Sequence, residues 1–406
     1  MTPVTELGPP TRGGPSRRTA RAATTGCTLL LVLLLAVPAA AQAPPAVTAQ
    51  GWVVYDPHDQ RVLAGDDADV GRRMASTTKI MTALLAIEAG TLDDVVTVSP
   101  TAAEADAEPG AATLNLPAGG QVPMGALLAG LLLRSGNDAA AAVAEHVAGS
   151  EEAFVARMNA RAAELGLAAT SFVDASGLTD DPAHVASPRD LAVLASVAMG
   201  NPDFAGWVAS ETLTVPVLGT LANRNELVGA YPGATGVKTG FTSLAGLCLV
   251  ASATRDGRTV YTVVLGSGVD EARTQHFTDA QALLDHGFLA WRRAQPVPGQ
   301  VATRYRWAGT AVPLVAAQPL ARTVGRDRTV TWRTVLRPDV QRPLPRGATA
   351  GRVELLVDGE TVEVADLLTA APVPEPPPRD PDAAVGAAVQ DALRGFTRLL
   401  AVERGA

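Results

Sequence analysis

The stretch Met74-Ala75-Ser76-Thr77-Thr78-Lys79-Ile80-Met81-Thr82-Ala83-Leu84-Leu85 is where the reading of this chain begins. Ile80, Met81, Leu84, Leu85 and Ile87 recur at helical spacing and Gly90 supplies a stop, so the pattern predicts a helix over residues 76–88. Ser76 and Lys79 stand one turn apart, which puts a hydroxyl and an amine on one face of that helix. A lone S-x-x-K is common by chance, and an isolated serine at this place serves more often as a helix cap. The pair gains meaning only with partners elsewhere in the chain.

Two partners follow in order: Ser135-Gly136-Asn137 and Lys238-Thr239-Gly240. Serine is a poor nucleophile until a base takes its proton, and lysine is a base only where burial and a neighbouring cation lower its pKa; Lys238 would be that cation for Lys79. The positive end of the helix favours both a neutral amine at Lys79 and a developing anion near Ser76. Ser135 is suited to relay a proton to a leaving amine, and Asn137 to bind a substrate amide and Lys79. Lys238 and Thr239 offer a cation and a hydroxyl to a terminal carboxylate, on a strand whose backbone can pair with an extended peptide. Gly240 permits close approach, and the amides of Ser76 and Phe241 are the natural donors to an oxyanion.

Working outward, Gly51 to Leu63 reads as two strands joined by a turn at the edge of a sheet. Helical periodicity dominates residues 120–200, with segments at 124–133, 138–147, 151–165 and 188–198, so Ser135-Gly136-Asn137 falls in a loop that can face the sheet. Strand character returns at 212–215, 236–239, 247–253 and 260–265, before a closing helix over 279–292. Strands at both ends with helices between describe an α/β sandwich with a mostly antiparallel sheet, spanning residues 44–296. Residues 297–370 carry short strand-like runs at 301–307, 328–336 and 353–357 and read as a small all-β domain. A Pro-rich linker (371–383) then leads to a segment (384–406) with Val385, Val389, Leu393, Phe396 and Leu400 at spacings of three and four. That amphipathic helix suits a membrane interface; packing on the body of the protein, or fraying in solution, is the alternative.

At the other end, Arg17, Arg18 and Arg21, the apolar run Leu29 to Val37 and Ala39-Ala40-Ala41 make residues 1–43 a signal peptide and the protein an exported one. An uncleaved anchor is the competing reading, against which the apolar run falls short of the ~20 residues that cross a bilayer. Cys27 lies within the leader, and Cys248 sits in an apolar strand, as a core residue would. The formal net charge of -8, without a basic cluster in the folded part, excludes a nucleic-acid partner. No spacing of His, Cys or carboxylates suggests a metal, no cofactor is expected, and no G-x-S-x-G elbow supports a Ser-His-Asp hydrolase.

The three motifs, with the stretches MASTTKIMTALL, LLRSGNDAA and PGATGVKTGFTSLAG around them, resemble the low-molecular-mass penicillin-binding proteins of the D-alanyl-D-alanine carboxypeptidase group over roughly residues 47–295. The resemblance implies the α/β fold shared by penicillin-binding-protein transpeptidase domains and β-lactamases, and no metal. It implies acylation of Ser76 by the penultimate D-alanine of a peptidoglycan stem peptide, with release of the terminal one, and inhibition by β-lactams. By the same resemblance Lys79 is the base, Ser135 and Asn137 form the second motif, and Lys238 and Thr239 hold the carboxylate. The β-domain, linker and tail are similar in architecture to members with a stalk and a surface anchor, which implies a site at the outer face of the cytoplasmic membrane. The competing functions are a D,D-endopeptidase, a β-lactamase with the same site, and a non-catalytic peptidoglycan-binding protein. S-G-N in place of the S-D-N of β-lactamases, with no identifiable deacylating glutamate, disfavours the second; intact Ser76, Lys79, Asn137 and Lys238 disfavour the third.

Overall fold

The computed structural model describes residues 43–105, 111–295, 303–307, 310–337 and 343–373. The expected signal peptide up to residue 42, nearly all of the Pro-rich linker and the amphipathic tail lie outside the described residues.

Five strands form the main sheet in the order Arg61–Asp66, Gly51–Asp56, Arg258–Ser267, Gly246–Arg255, Ala234–Thr242, and every pairing is antiparallel. The expected N-terminal hairpin occupies one edge, and the strand bearing Lys238 the other. Gly51–Asp56 is buried along its whole length because both faces of the sheet are covered. Alternation sends Val53 and Tyr55 to one face, with Cys248, Val250 and Val263, where they meet the helical block. Trp52 and Val54 point the other way and pack, with Leu249 and Val264, under Phe277, Ala280 and Leu284 of the helix Gln275–Ala290.

The helical block comprises Lys79–Glu88, Met124–Leu133, Asn137–Ala148, Glu151–Glu164 and Pro188–Ala198. Met124–Leu133 is buried all round, as its almost unbroken apolar sequence requires, and forms the centre of the block. Serines 150 and 187 accept from the backbone N–H groups of Ala153 and Asp190 and start the helices that follow them.

The structure differs from the sequence reading at several places. The closing helix runs from Gln275 to Ala290, earlier at both ends than expected, because Trp291–Ala294 is drawn into an extended pairing with Arg322–Gly325. A long-range ladder there overrides local helical periodicity. Thr212–Val215 pairs only with Gly219–Ala222, outside the main sheet; its half-exposed alternation provides no face for a doubly covered layer. The β-region is a five-stranded antiparallel sheet in the order Thr303–Trp307, Thr310–Ala316, Glu360–Thr369, Thr349–Val357, Val330–Leu336, and it includes a long strand, Glu360–Thr369, that sequence reading did not anticipate. Its small core is built on Leu314, Leu320, Val353, Leu355 and Leu367.

One carboxylate ties the N-terminal hairpin to the ladder of Trp291–Ala294 and Arg322–Gly325. Asp59, in the turn of the N-terminal hairpin, accepts from the Thr323 backbone N–H at 2.6 Å and from Arg293 at 2.9 Å, with Arg322 at 3.7 Å. Arg61 beside it donates to the Thr323 carbonyl at 2.9 Å and lies 5.4 Å from the Trp291 ring centroid. The Asp59 side chain is only 4% exposed, so removing it strands two partly buried guanidinium groups and an amide. Asp59→Ala is therefore expected to lower the stability of the folded chain by about 2 kcal/mol, read as a shift of the urea midpoint; an unchanged midpoint would mean that the junction carries no stabilising contact.

Candidate active site

A cleft of about 990 Å³ opens between the Lys238 edge of the sheet and the helical block. Ser76, Ser135, Asn137, Thr239, Gly240 and Phe241 all line it, so the structure gathers these six expected site residues around one space. The two lysines lie beneath its surface, both almost completely buried.

Ser76 is presented by a short 3-10 turn, Ala75–Thr78, which leads directly into the helix Lys79–Glu88. The turn is held by its own threonines: Thr77 Oγ1 donates to Met74 O at 2.7 Å and Thr78 Oγ1 to Ala75 O at 2.8 Å. Ala75 adopts a left-handed backbone, φ +48°, as does Ser135 across the cleft, φ +67°. Non-glycine residues in this region cost of order 1 kcal/mol and persist where surrounding structure over-determines them. Here they aim Ser76 and Ser135 into a shared space.

Lys79 is the hub. Its Nζ lies 2.6 Å from Asn137 Oδ1, 2.7 Å from the carbonyl of Ser176 and 3.0 Å from Ser76 Oγ. The two carbonyl-type acceptors take N–H groups whatever the charge of the amine, which directs a remaining position at the serine hydroxyl. A proton can move between Oγ and Nζ along that line without rearrangement. Because a lysine only donates to Asn137, the amide commits Oδ1 to it and leaves Nδ2 for a ligand. Asn137 begins the helix Asn137–Ala148, instead of ending the loop as expected, and this fixes its backbone.

Lys238 donates to the Thr239 carbonyl at 2.9 Å. Burial first, then the charges of Lys79 and Arg224, push its pKa well below the ordinary lysine range. Gly240 stands against the turn that carries Ser76: a Cβ there would lie 3.1 Å from both Ser76 N and Met74 O. A side chain there would push the edge strand and the Ser76 turn apart by a few tenths of an ångström, so glycine keeps the Ser76 and Phe241 backbone together on one side of the cleft.

Sequence reasoning missed several contributors. The loop Asp174 to Gly177 reads as polar, and the family resemblance places it only at the border of the cleft with no chemical role; its Ser176 carbonyl is an acceptor for Lys79. Asp174 Oδ1 shapes that loop by accepting from the Ser176 and Gly177 amides, and Thr82 Oγ1 holds the Ala175 carbonyl at 2.6 Å. A Cβ on Gly177 would meet Ala75 O at 2.0 Å, so the loop touches the nucleophile turn. Asp138 is buried and accepts from the Leu114, Leu116 and Ala139 amides and from Thr113 Oγ1, which straps residues 111–116 across the second motif. Arg224 and Arg273 line the cleft, and Arg273 stacks over the Phe241 ring at 4.5 Å. None of these has a spacing signal; the fold alone brings them in. Cys248, as expected, is a core residue, its thiol pushed up to about 12 by burial.

With this geometry described, comparison with known proteins gives a consistent result. The family model for D-alanyl-D-alanine carboxypeptidase matches residues 38–268. The chain is 32% identical to D-alanyl-D-alanine carboxypeptidase DacC of Escherichia coli (strain K12) over 82% of its own length and 86% of that protein's. It is 36% identical to D-alanyl-D-alanine carboxypeptidase DacB2 of Mycobacterium tuberculosis, over 62% of this chain and 86% of the relative. Among solved structures, penicillin binding protein 6B from Escherichia coli superposes with a TM-score of 0.67 at 29% identity, over 82% of this chain and 98% of that one.

Position 136 offers a direct check on the strap. A Cβ there would lie 2.6 Å from Leu114 Cγ and 2.8 Å from Asp138 Oδ1, so an acidic side chain meets both a packed methine and a like charge. Gly136→Asp is expected to lower stability by about 2–3 kcal/mol, read as a fall in the urea midpoint at unchanged slope. A midpoint equal to that of the parent would show that the strap moves aside freely.

Proposed function

The chain belongs to the D-alanyl-D-alanine carboxypeptidase family and is a serine-type carboxypeptidase, and on that premise we propose that it removes the terminal D-alanine from peptidoglycan stem peptides through an acyl-enzyme on Ser76. The observation that carries this reading is the 3.0 Å approach of Lys79 Nζ to Ser76 Oγ, with the amine oriented by Asn137 and Ser176. Ser76 Oγ attacks the carbonyl carbon of the penultimate D-alanine while its proton passes to Lys79. The oxyanion is held by the amides of Ser76 and Phe241. Ser135 relays a proton to the amine of the departing D-alanine as the C–N bond breaks. Water then attacks the Ser76 ester, gives up its proton through the same pair of groups, and releases the shortened peptide.

Asn137 Nδ2 binds the substrate amide, and the strand at Thr239 pairs with the extended peptide. Thr239 and Lys238 receive the terminal carboxylate, whose charge counters the burial and the neighbouring cations that lower the Lys238 pKa. β-Lactams acylate the same serine. S-G-N in place of S-D-N, with no identifiable deacylating glutamate, favours a slowly hydrolysed adduct over β-lactamase turnover.

Incubation with benzylpenicillin, followed by intact mass, tests the site. A one-to-one adduct mapping to Ser76 is expected, absent in Ser76→Ala and formed about 10²–10⁴-fold more slowly in Lys79→Met. A wild-type adduct on another residue, or undiminished acylation of Lys79→Met, would refute the assignment.

We propose further that the enzyme is exported and works at the outer face of the cytoplasmic membrane. Supporting this are the Arg-then-apolar start of the chain and the apolar stripe Val385, Val389, Leu393, Phe396, Leu400 near its end. Sedimentation with anionic phospholipid vesicles should retain the chain from residue 42 to its end and lose a version stopping at residue 383. Equal behaviour of the two would remove the tail from the membrane.

A further inference from the structure

Behind the cleft, His184 joins two elements that the reaction needs in register. It lies in the loop ahead of the helix Pro188–Ala198, is 3% exposed, and does not line the cleft. Its Nδ1 accepts from the Val173 backbone N–H at 3.1 Å, so Nδ1 carries no proton. Nε2 must then be the protonated nitrogen, and it donates to Thr78 Oγ1 at 2.7 Å. That hydroxyl spends its own proton on the Ala75 carbonyl at 2.8 Å. Every donor and acceptor in the chain therefore runs in one direction, from the Val173 amide through the imidazole to the nucleophile turn.

We propose that His184 is a positioning residue for acylation, a strut that sets the turn carrying Ser76 against the loop whose Ser176 carbonyl holds Lys79. The inference rests on the acyl-enzyme reading above. At one end, Thr78 stands between Ser76 and Lys79 in sequence, and its hydroxyl fixes the left-handed Ala75 that precedes the nucleophile. At the other, Val173 continues into Asp174, Ala175 and Ser176, and Ser176 O accepts from Lys79 Nζ at 2.7 Å. The two elements touch directly at Gly177, where no side chain fits. Phe172 packs edge-on against the ring, with centroids 6.1 Å apart, and limits its rotation.

The strut works only with a neutral ring. Protonation adds a hydrogen to Nδ1 and turns it against the Val173 N–H, donor facing donor. Asp174 and Asp181 from its own loop favour the cation, whereas Lys79 from the helix and Arg73 from the segment before the turn oppose it. Burial is the largest influence and, with the two cations, holds the ring below the ordinary histidine range. The neutral form thus persists at neutral pH, and the strut weakens only as pH falls through the depressed pKa.

The test compares benzylpenicillin acylation rates, by intact mass, of the full chain and of His184→Leu, Thr78→Val, the double variant and His184→Gln, with circular dichroism confirming the fold. His184→Leu is expected to acylate Ser76 about 10–100-fold more slowly, Thr78→Val similarly, and the double variant no more slowly than the worse single one. His184→Gln, which keeps a donor and an acceptor, should recover most of the rate. Wild-type rate in a folded His184→Leu, or losses that multiply in the double variant, would overturn the proposal. Nitrogen-15 NMR of the wild-type ring reads it without any substitution: a neutral Nε2–H tautomer at pH 6 is expected, and a proton on Nδ1 overturns it. Absence of any wild-type adduct would instead sink the acyl-enzyme reading, and this strut with it.

Discussion

A fully buried amine has to be surrounded by acceptors, and the helical block and cleft of this protein are arranged around meeting that demand for Lys79. Leaving such a group unpartnered costs several kcal/mol, whatever its protonation state. Its acceptors come from separate parts of the chain: Ser76 one turn away, Asn137 at the start of a helix in the block, and Ser176 in a loop nearly a hundred residues on. Each acceptor is itself fixed. The threonines hold the 3-10 turn, the strap of residues 111–116 is bound to Asp138 beside Asn137, and Asp174 orders the Ser176 loop. The amine reaches a reactive hydroxyl because these acceptors have already determined where it points.

The sheet contributes the opposite kind of constraint, a lack of bulk. Its edge strand Ala234–Thr242 must pass close to the Ser76 backbone, and Gly240 is the residue that makes this approach sterically allowed. Lys238, one of the two buried lysines, is then held close enough to Lys79 for that neighbour to add to the effect of burial in opposing its charge. On the proposed role of Lys238 and Thr239, such a site becomes better satisfied when a carboxylate arrives, which would bind affinity for the substrate's terminus to the chemistry next to it.

Much of this was readable from residue spacing. Ser76 and Lys79 sit one turn apart, Ser135 and Asn137 flank a glycine between two apolar helices, and Lys238-Thr239-Gly240 lies in an apolar strand; local periodicity places each on its element. The order of the motifs, with the family resemblance, was enough to anticipate that they converge. Local pattern could not reveal contacts made by backbone atoms or by isolated loop residues. The Ser176 carbonyl has no side-chain signature, His184 is one histidine among five, and the clamp at Asp138 depends on residues more than twenty positions earlier. The same limit misplaced the closing helix, since Trp291–Ala294 looks helical until its partner strand Arg322–Gly325 is known.

That partner strand, together with the Asp59 cluster, removes the freedom usually assumed between an enzyme body and an appended β-region. Two packed units joined by a bare linker tumble independently, and the reach of one relative to the other is a statistical quantity. Here the connection includes a ladder, a buried carboxylate and a stacked guanidinium, so Arg322–Gly325, a segment inside the β-region, is fastened to the end of the closing helix and to the N-terminal hairpin. Swinging the β-region away from the sheet domain would first have to break these contacts, so a load on one is carried by the hairpin turn at Asp59.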